Sequence, residues 1–290
     1  MSSLFDFDAP PDRYAVMGNP IDHSKSPQIH SAFARQTGQH LEYTAIQVDA
    51  GGLEQAVGNF HANGGKGLNI TVPFKQDAWR LVDTHSEDAQ QAGAVNTIVF
   101  RDDGSLYGDN TDGKGLVRDI TVNNSFPIGA KRVLLMGAGG AARGVLRPIM
   151  AQGPEHLLIV NRTADRASDL VAAFLSSQLK TGAVRGISGC GYDDLPGQQF
   201  DLVINATAAS LHNELPPLPD DLLASEACCY DMMYADEPTI FLRWARDHGA
   251  AVCVDGLGML VEQAAAAFEL WRGVRPDSRA VIRMLREKTS

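Results

Sequence analysis

The residues with the plainest chemistry are a glycine run and two arginines that follow it. Val133-Leu134-Leu135-Met136 reads as a buried strand and leads straight into Gly137-Ala138-Gly139-Gly140-Ala141-Ala142 and an apolar helix. Glycines at such a turn let the backbone approach a pyrophosphate, whose charge is met by the exposed N–H groups of the helix start. The next strand, Leu157-Leu158-Ile159-Val160, ends at Asn161-Arg162-Thr163, with Arg166 one turn on. A carboxylate at that strand end suits the ribose hydroxyls of NAD, whereas an arginine suits the extra 2′-phosphate of NADP. Taken singly, a glycine cluster serves turns and close packing equally well, and exposed arginines are common. In this order, with a strand on each side and no acid at the second strand end, they predict an NADP (NADPH) site.

Hydride transfer to or from an alcohol carbon needs a group that moves the hydroxyl proton. Five polar clusters are candidates: His23-Ser24-Lys25-Ser26-Pro27, Asn69-Ile70-Thr71-Val72-Pro73-Phe74-Lys75, Ala94-Val95-Asn96-Thr97, Asp109-Asn110-Thr111-Asp112-Gly113 and, far along the chain, Gln263. Each falls at a strand end or helix start, where the loops of an α/β sheet gather on one rim. Lys75 opens a helix after Pro73 and is the candidate acid/base, because a lysine can be poised for proton transfer and offers three donors on a flexible stem. Asp112, at another helix start, is its natural partner. Singly, Asp112 fits a helix cap and Lys75 a surface lysine equally well. His23 shows no carboxylate partner in the sequence and fits a structural loop residue better than a base.

These residues need elements to hold them. Residues 14–18 read as a strand. A helix follows with Ser26 as its cap, Pro27 at its first position and Ile29, Ala32 and Phe33 on one face, and it stops at Gly38. Strands at 41–48 and 67–72 flank a helix around 53–62, and 95–100 with 105–108 form a hairpin through Asp103-Gly104. A helix around 113–122 and the loop 123–129 bridge to strands near 133–136, 157–160, 201–205, 228–232 and 251–254. These alternate with helices, as in a doubly wound parallel sheet. Helices then cover about 259–268 and 277–287; periodicity leaves open whether they close the second region or return to the first.

Composition bounds the rest. The 290 residues suffice for two domains, and 44% hydrophobic with 21% charged residues is the balance of a globular protein. A formal charge of −10, from 25 basic against 35 acidic residues, argues against nucleic acid or an anionic membrane as partner. The start, Met1 to Asp12, has no basic, apolar leader pattern, and no stretch approaches the ~20 apolar residues that span a bilayer. Cys190, Cys228, Cys229 and Cys253 show no metal spacing; reduced core thiols in a cytoplasmic protein are expected, with no metal site.

Six segments in order carry a specific resemblance over nearly the whole chain: Gly-Asn-Pro-Ile-Asp-His-Ser-Lys-Ser-Pro (18–27), Asn-Ile-Thr-Val-Pro-Phe-Lys (69–75), Gly-Ala-Val-Asn-Thr (93–97), Gly-Asp-Asn-Thr-Asp-Gly (108–113), Asn-Arg-Thr (161–163) and Asp-Gly-Leu-Gly-Met-Leu (255–260). The chain resembles shikimate dehydrogenase, the NADP-dependent biosynthetic type. That resemblance implies reversible NADPH-linked reduction of 3-dehydroshikimate to shikimate, a step toward chorismate and the aromatic amino acids. It implies an α/β fold of two domains. An N-terminal substrate domain with a mixed sheet (1–112 plus 257–290) would accompany a Rossmann-like doubly wound NADP domain (113–256). Lys75 and Asp112 would be the catalytic pair. Ser24 and Ser26 would bind the substrate carboxylate with help from Tyr234, and Asn69, Thr71, Asn96 and Gln263 the ring hydroxyls. Gly137, Ala138, Gly139, Gly140, Ala141, Asn161, Arg162, Thr163, Arg166, Thr207, Met232 and Gly256 would contact NADP. A monomer or homodimer is implied. Rival readings are a quinate/shikimate dehydrogenase using NAD or NADP, and a catalytically silent NADP-binding regulator. Two departures from the family pattern stand out: Ala208-Ala209-Ser210 after Thr207, and Met232-Met233.

Overall fold

The computed structural model describes residues 10–177 and 186–287, so the acidic start at residues 1–9 lies outside the described residues. The chain divides into two compact units. One holds residues up to Ala89, Gly93–Asn110 and Ala264–Val281; the other holds Gln90–Ala92, Thr111–Gln263 and the chain from Ile282 on.

The first unit is built on β1 (Asp12–Gly18), α1 (Ser26–Thr37), β2 (Leu41–Gln47), α2 (Leu53–Ala62), β3 (Gly65–Ile70), α3 (Lys75–Leu81), β4 (Thr84–His85), α4 (Glu87–Ala92, its end assigned to the second unit), β5 (Thr97–Phe100) and β6 (Leu106–Asp109). Its mixed sheet has the order β2-β1-β3-β5-β6-β4. β1 is parallel to β2 and β3, while β3–β5 and β5–β6 are antiparallel. β1 is buried on both faces: Ala15 and Met17 join Leu68, Ile70 and Val57, whereas Tyr14 and Val16 join Ile21 and Tyr43. The β5–β6 hairpin turns at Gly104, where φ is +84°. The short β4 escapes a periodicity argument because two residues show no alternation.

α1 differs from expectation at its start. Lys25 holds the cap position, and Ser26 is already helical and buried. The Ser24 hydroxyl accepts instead from the Ser26 N–H at 3.3 Å, so a serine does serve the helix start, two residues earlier than the sequence predicts. The helix ends at Gly38 in the left-handed conformation, as Gly38 predicts.

The second unit contains α5 (Asp112–Arg118), β7 (Arg132–Met136), α6 (Gly140–Met150), β8 (His156–Val160), α7 (Ala164–Ser177), β9 (Ile187–Cys190), β10 (Phe200–Asn205), β11 (Leu223–Asp231), α8 (Ile240–Asp247), β12 (Val252–Val254), the first part of α9 (Leu257–Arg272) and the end of α10 (Ser278–Glu287). All six strands are parallel, in the order β12-β11-β10-β7-β8-β9. This is a Rossmann-like, doubly wound sheet. Successive residues of β7 face opposite cores: Val133 and Leu135 one, Leu134 and Met136 the other. α5 runs into a π turn at Asp119–Asn123, which breaks the single helix expected over 113–122.

Glycines in α5 explain its packing. A Cβ at Gly113 would lie 2.8 Å from the Gly144 carbonyl of α6, and one at Gly115 would lie 2.7 Å from the Gln263 nitrogen of α9. The helix therefore meets two neighbours backbone to backbone, holding Gln263 in place. Among the described residues, no helix is long and apolar enough to cross a membrane.

Candidate active site

In the second unit every expected cofactor residue follows the C-terminal end of a strand of one parallel sheet, where ligands of open α/β sheets bind. The order of strands reverses between β7 and β10. Gly137 follows β7 with φ +105°, its N–H donating to Val160 O at 2.7 Å. A side chain there would meet the Ala206 carbonyl at 3.2 Å, so this glycine serves a backbone crossing. Gly139 and Gly140 differ. Neither has positive φ, and a Cβ on either would find no atom of the described residues within 4 Å beyond its chain neighbours. The protein itself has no need of glycine at these two positions, and the space above the start of α6 fits a pyrophosphate on its N–H groups.

Asn161 closes the turn after β8 by donating from Nδ2 to Thr163 O at 2.9 Å, and α7 begins at the next residue. Arg162 and Arg166 are exposed, and neither guanidinium has a hydrogen bond or ion pair within the described residues. Both line a cavity of about 780 Å³ together with Asn161, Thr163 and Thr207. Two unpaired cations on one cavity wall, in a chain of net charge −10, fit a phosphate group.

The loop after β10 is tied down from below. Asn205 Oδ1 accepts from the Thr207 hydroxyl at 2.7 Å and from its N–H at 3.1 Å. The Ser210 hydroxyl accepts from Asn205 Nδ2 and donates to the buried Asp231 carboxylate at 2.7 Å. In the departing sequence Ala208-Ala209-Ser210, the serine thus anchors the loop to two strand ends. Asp231 also accepts from the Met233 N–H at 3.0 Å. Met232 is half-buried against the core, and its carbonyl would lie 2.1 Å from a Cβ at Gly256, which explains that glycine.

The first unit gathers Ser24, Ser26, Asn69, Thr71, Lys75 and Asn96. Lys75 is the first residue of α3 and half-buried, its carbonyl accepting from the Val95 N–H at 2.8 Å, which ties the lysine's backbone to the segment carrying Asn96. Thr71 leaves β3 with its N–H on Met17 O. Gly18 carries no Cβ because one would sit 2.4 Å from the Thr71 methyl. Asn69 and Asn96 are buried, as is Tyr43, whose hydroxyl donates to Asn69 Oδ1 at 2.7 Å. Burial raises the Tyr43 phenol well above its ordinary value, opposed by the Ser26 hydroxyl, so it remains a donor.

Asp112, Tyr234 and Gln263 belong to the second unit. Asp112 is the first residue of α5, with Thr111 in the cap position. The Gln263 amide is oriented at both ends: Oε1 accepts from Thr111 Oγ1 at 3.3 Å and Nε2 donates to Leu260 O at 2.9 Å. Tyr234 is half-buried, with its phenol raised by burial.

Known proteins match this chain along its length. The family model described as shikimate dehydrogenase substrate binding domain covers residues 16–98, shikimate / quinate 5-dehydrogenase covers 121–213, and shikimate 5′-dehydrogenase C-terminal domain covers 256–285. A shikimate dehydrogenase (NADP(+)) of Nitrosococcus oceani is 56% identical over 96% of each chain. One of Alkalilimnicola ehrlichii is 58% identical over 95% of this chain and 98% of its own. The chain belongs to the shikimate dehydrogenase family. Among solved structures, the Thermus thermophilus shikimate 5-dehydrogenase in complex with NADP(H) and shikimate shares 30% identity and superposes with a TM-score of 0.82, over 96% of this chain and 100% of that one.

Sequence reasoning missed part of the rim in this shikimate dehydrogenase family member. Gly191, Tyr192, Asp193 and Asp194, just after β9, line the same cavity as Arg162. β9 is short and reads Ile-Ser-Gly-Cys, with one bulky apolar residue, so neither alternation nor a buried run announces it. The four cysteines are free; Cys228 and Cys229 are buried, and burial pushes the Cys228 thiol up to about 12. No group of acids, histidines and cysteines among the described residues could hold a metal ion.

Proposed function

We propose that the protein is an NADP-dependent shikimate dehydrogenase that reversibly reduces 3-dehydroshikimate to shikimate. The observation that carries the reading is one parallel sheet with bare Gly139 and Gly140 at the start of α6 and the unpaired Arg162 and Arg166 at the next strand end. It is supported by full-length relatives above 50% identity bearing that name. Gly137–Ala141, Asn161–Thr163, Arg166, Thr207, Met232 and Gly256 hold NADPH, which supplies the hydride when bound. Residues 113–256 serve as the NADP domain, and 1–112 with 257–290 as the substrate domain.

Lys75 is the acid/base in this proposal. In the reducing direction its Nζ donates a proton to the oxygen of the carbonyl carbon that gains hydride; in the oxidising direction it takes that proton from the hydroxyl. Asp112 partners Lys75, orienting its amine and accepting from a substrate hydroxyl. Ser24 and Ser26, with Tyr234, bind the carboxylate by neutral hydroxyls. Asn69, Thr71, Asn96 and Gln263 bind the ring hydroxyls. Sites that hydrogen-bond each hydroxyl reject analogues lacking one, because buried polar groups are then left unpaired. A cytoplasmic monomer or homodimer completes the proposal.

The test is to follow reduced-nicotinamide absorbance with shikimate and with quinate, each against NADP and NAD. Turnover confined to shikimate with NADP is the expected result, and Lys75→Ala lowers it by roughly 100-fold or more while NADP binding persists. Comparable rates with quinate or NAD would shift the protein to the dual-specificity reading. Turnover in no combination would leave an NADP-binding regulator.

A further inference from the structure

Beneath the residues proposed to bind the ring hydroxyls runs a directed chain of hydrogen bonds. The Tyr43 hydroxyl donates to Asn69 Oδ1 at 2.7 Å. Asn69 Nδ2 donates at 3.1 Å to the Asn96 carbonyl and at 3.1 Å to Thr97 Oγ1. The Thr97 hydroxyl donates to Asn96 Oδ1 at 2.9 Å. All four side chains are buried, Thr97 completely.

Valence gives this chain its direction. A backbone carbonyl only accepts, so the Asn69 amide must turn Nδ2 toward Asn96 O and Oδ1 toward Tyr43. Both Nδ2 protons are then engaged, one of them on the Thr97 oxygen. A threonine hydroxyl has a single proton, so with Asn69 donating to it, that proton goes to Asn96 Oδ1. Asn96 is thereby held with Oδ1 toward Thr97 and its Nδ2 end turned away. Amide oxygen and nitrogen are otherwise nearly isosteric, and an asparagine presented the wrong way round would offer a donor where an acceptor is needed.

We infer that Thr97 and Tyr43 are positioning residues that set the polarity with which Asn69 and Asn96 meet the substrate. Asn69 keeps only a lone pair of Oδ1 for a ligand and reads a hydroxyl as donor; Asn96, with Oδ1 on Thr97, has its Nδ2 edge on the opposite side. Thr97 and Tyr43 thus help distinguish hydroxyl patterns on a small polyol ring without touching it. This inference rests on the proposal that Asn69 and Asn96 bind the ring hydroxyls. The resemblance assigns roles to Asn69 and Asn96 but none to Tyr43 or Thr97.

Thr97→Val, nearly isosteric, removes the hydroxyl and leaves Asn69 Nδ2 and Asn96 Oδ1 each one partner short. The expected result is a rise of about tenfold in KM for shikimate, with KM for NADP unchanged. Thr97→Ser restores the hydroxyl and recovers most of the loss. Tyr43→Phe keeps the ring and removes the donor, giving a smaller rise of the same kind, and it serves in place of Thr97→Val should that variant fail to fold. A folded Thr97→Val enzyme with normal KM for shikimate, or a serine variant as impaired as the valine, overturns the inference. A readout independent of turnover separates it from the functional proposal: the side-chain amide resonances of Asn69 and Asn96 in the ligand-free protein. They shift in Thr97→Val and return in Thr97→Ser if the relay orients them, even in a protein that does not oxidise shikimate. Unmoved resonances overturn the relay itself.

Discussion

The two units present polar groups in opposite ways. In the first, Asn69 is buried and bonded at both ends before any ligand arrives, and Ser26 is buried beside Tyr43. In the second, Arg162 and Arg166 stand exposed without side-chain partners among the described residues, and Gly139 and Gly140 leave space. The ligands proposed for each explain the contrast. A ring with several hydroxyls is told from its analogues only by dipoles already aimed, since each mispaired group costs about 1–3 kcal/mol. A phosphate is recognised mainly by charge, and a flexible guanidinium in a wet cavity meets it without being held beforehand. Asn205, Ser210 and Asp231 show that the second unit also uses buried networks, but to hold the backbone of a loop.

The largest expected effect on this contrast comes from the second unit. Replacing Arg162 and Arg166 with glutamine should weaken NADPH by roughly 10- to 100-fold, the worth of charge-assisted hydrogen bonds, while barely changing NADH. Paired dissociation constants measure it; equal losses for both cofactors would show that these arginines do not read the 2′-phosphate.

Gly139→Ala should act next. Its φ of −87° suits alanine and no protein atom lies within 4 Å of the new Cβ, so the melting temperature should stay constant. NADPH and NADH should weaken together by about tenfold, or ~1.4 kcal/mol, because the methyl occupies the space proposed for the pyrophosphate they share. Unchanged binding would place the cofactor elsewhere.

A third effect, on stability and not on binding, lies beneath the residues proposed to bind substrate. His30 is wholly buried, its ring stacked on that of Tyr43 with centroids 4.2 Å apart, and among the described residues neither ring nitrogen has a hydrogen-bond partner within bonding geometry. Burial lowers its pKa to about 3. An unfolded chain's histidine protonates below about 6.5, so acid favours unfolding between those values, by about 1.4 kcal/mol per pH unit. The opposite sign holds for Asp119 in the second unit. Burial raises its carboxyl above the ordinary 3.8, so its contribution falls as pH rises through that range. Denaturation midpoints across pH 4–6.5 should show a shallower acid loss in His30→Phe than in the parent chain; identical slopes would remove His30 as the source.

Much of the arrangement was legible because local chemistry imposed it. Gly38 announced the end of α1, and Asp103-Gly104 the β5–β6 turn. The run Val133–Met136 into glycines announced β7 and its turn. Failures fell where local signals are weak or misleading. β9 has a single bulky residue, β4 is two residues long, and the π turn at Asp119–Asn123 is tied to Tyr230 and Glu262, distant in sequence. Ser26 was read as a cap from its type and place, yet burial takes it into the helix and leaves Ser24 to accept from its N–H. Tyr43 gave no signal, since a tyrosine in a strand is ordinary, and Thr97 stood out only as a member of a polar cluster.

By itself, the sequence determined the alternation of elements, the glycine turn and arginine pair of the second unit and the polar clusters of the first, because spacing and residue type act over a few residues. Tertiary structure alone decided the strand orders, the division of α9 between the units and which way each buried amide points. Those depend on partners such as Asn69 and Thr97, Gly115 and Gln263, or Ser210 and Asp231, which become neighbours only when strands pair and helices cross.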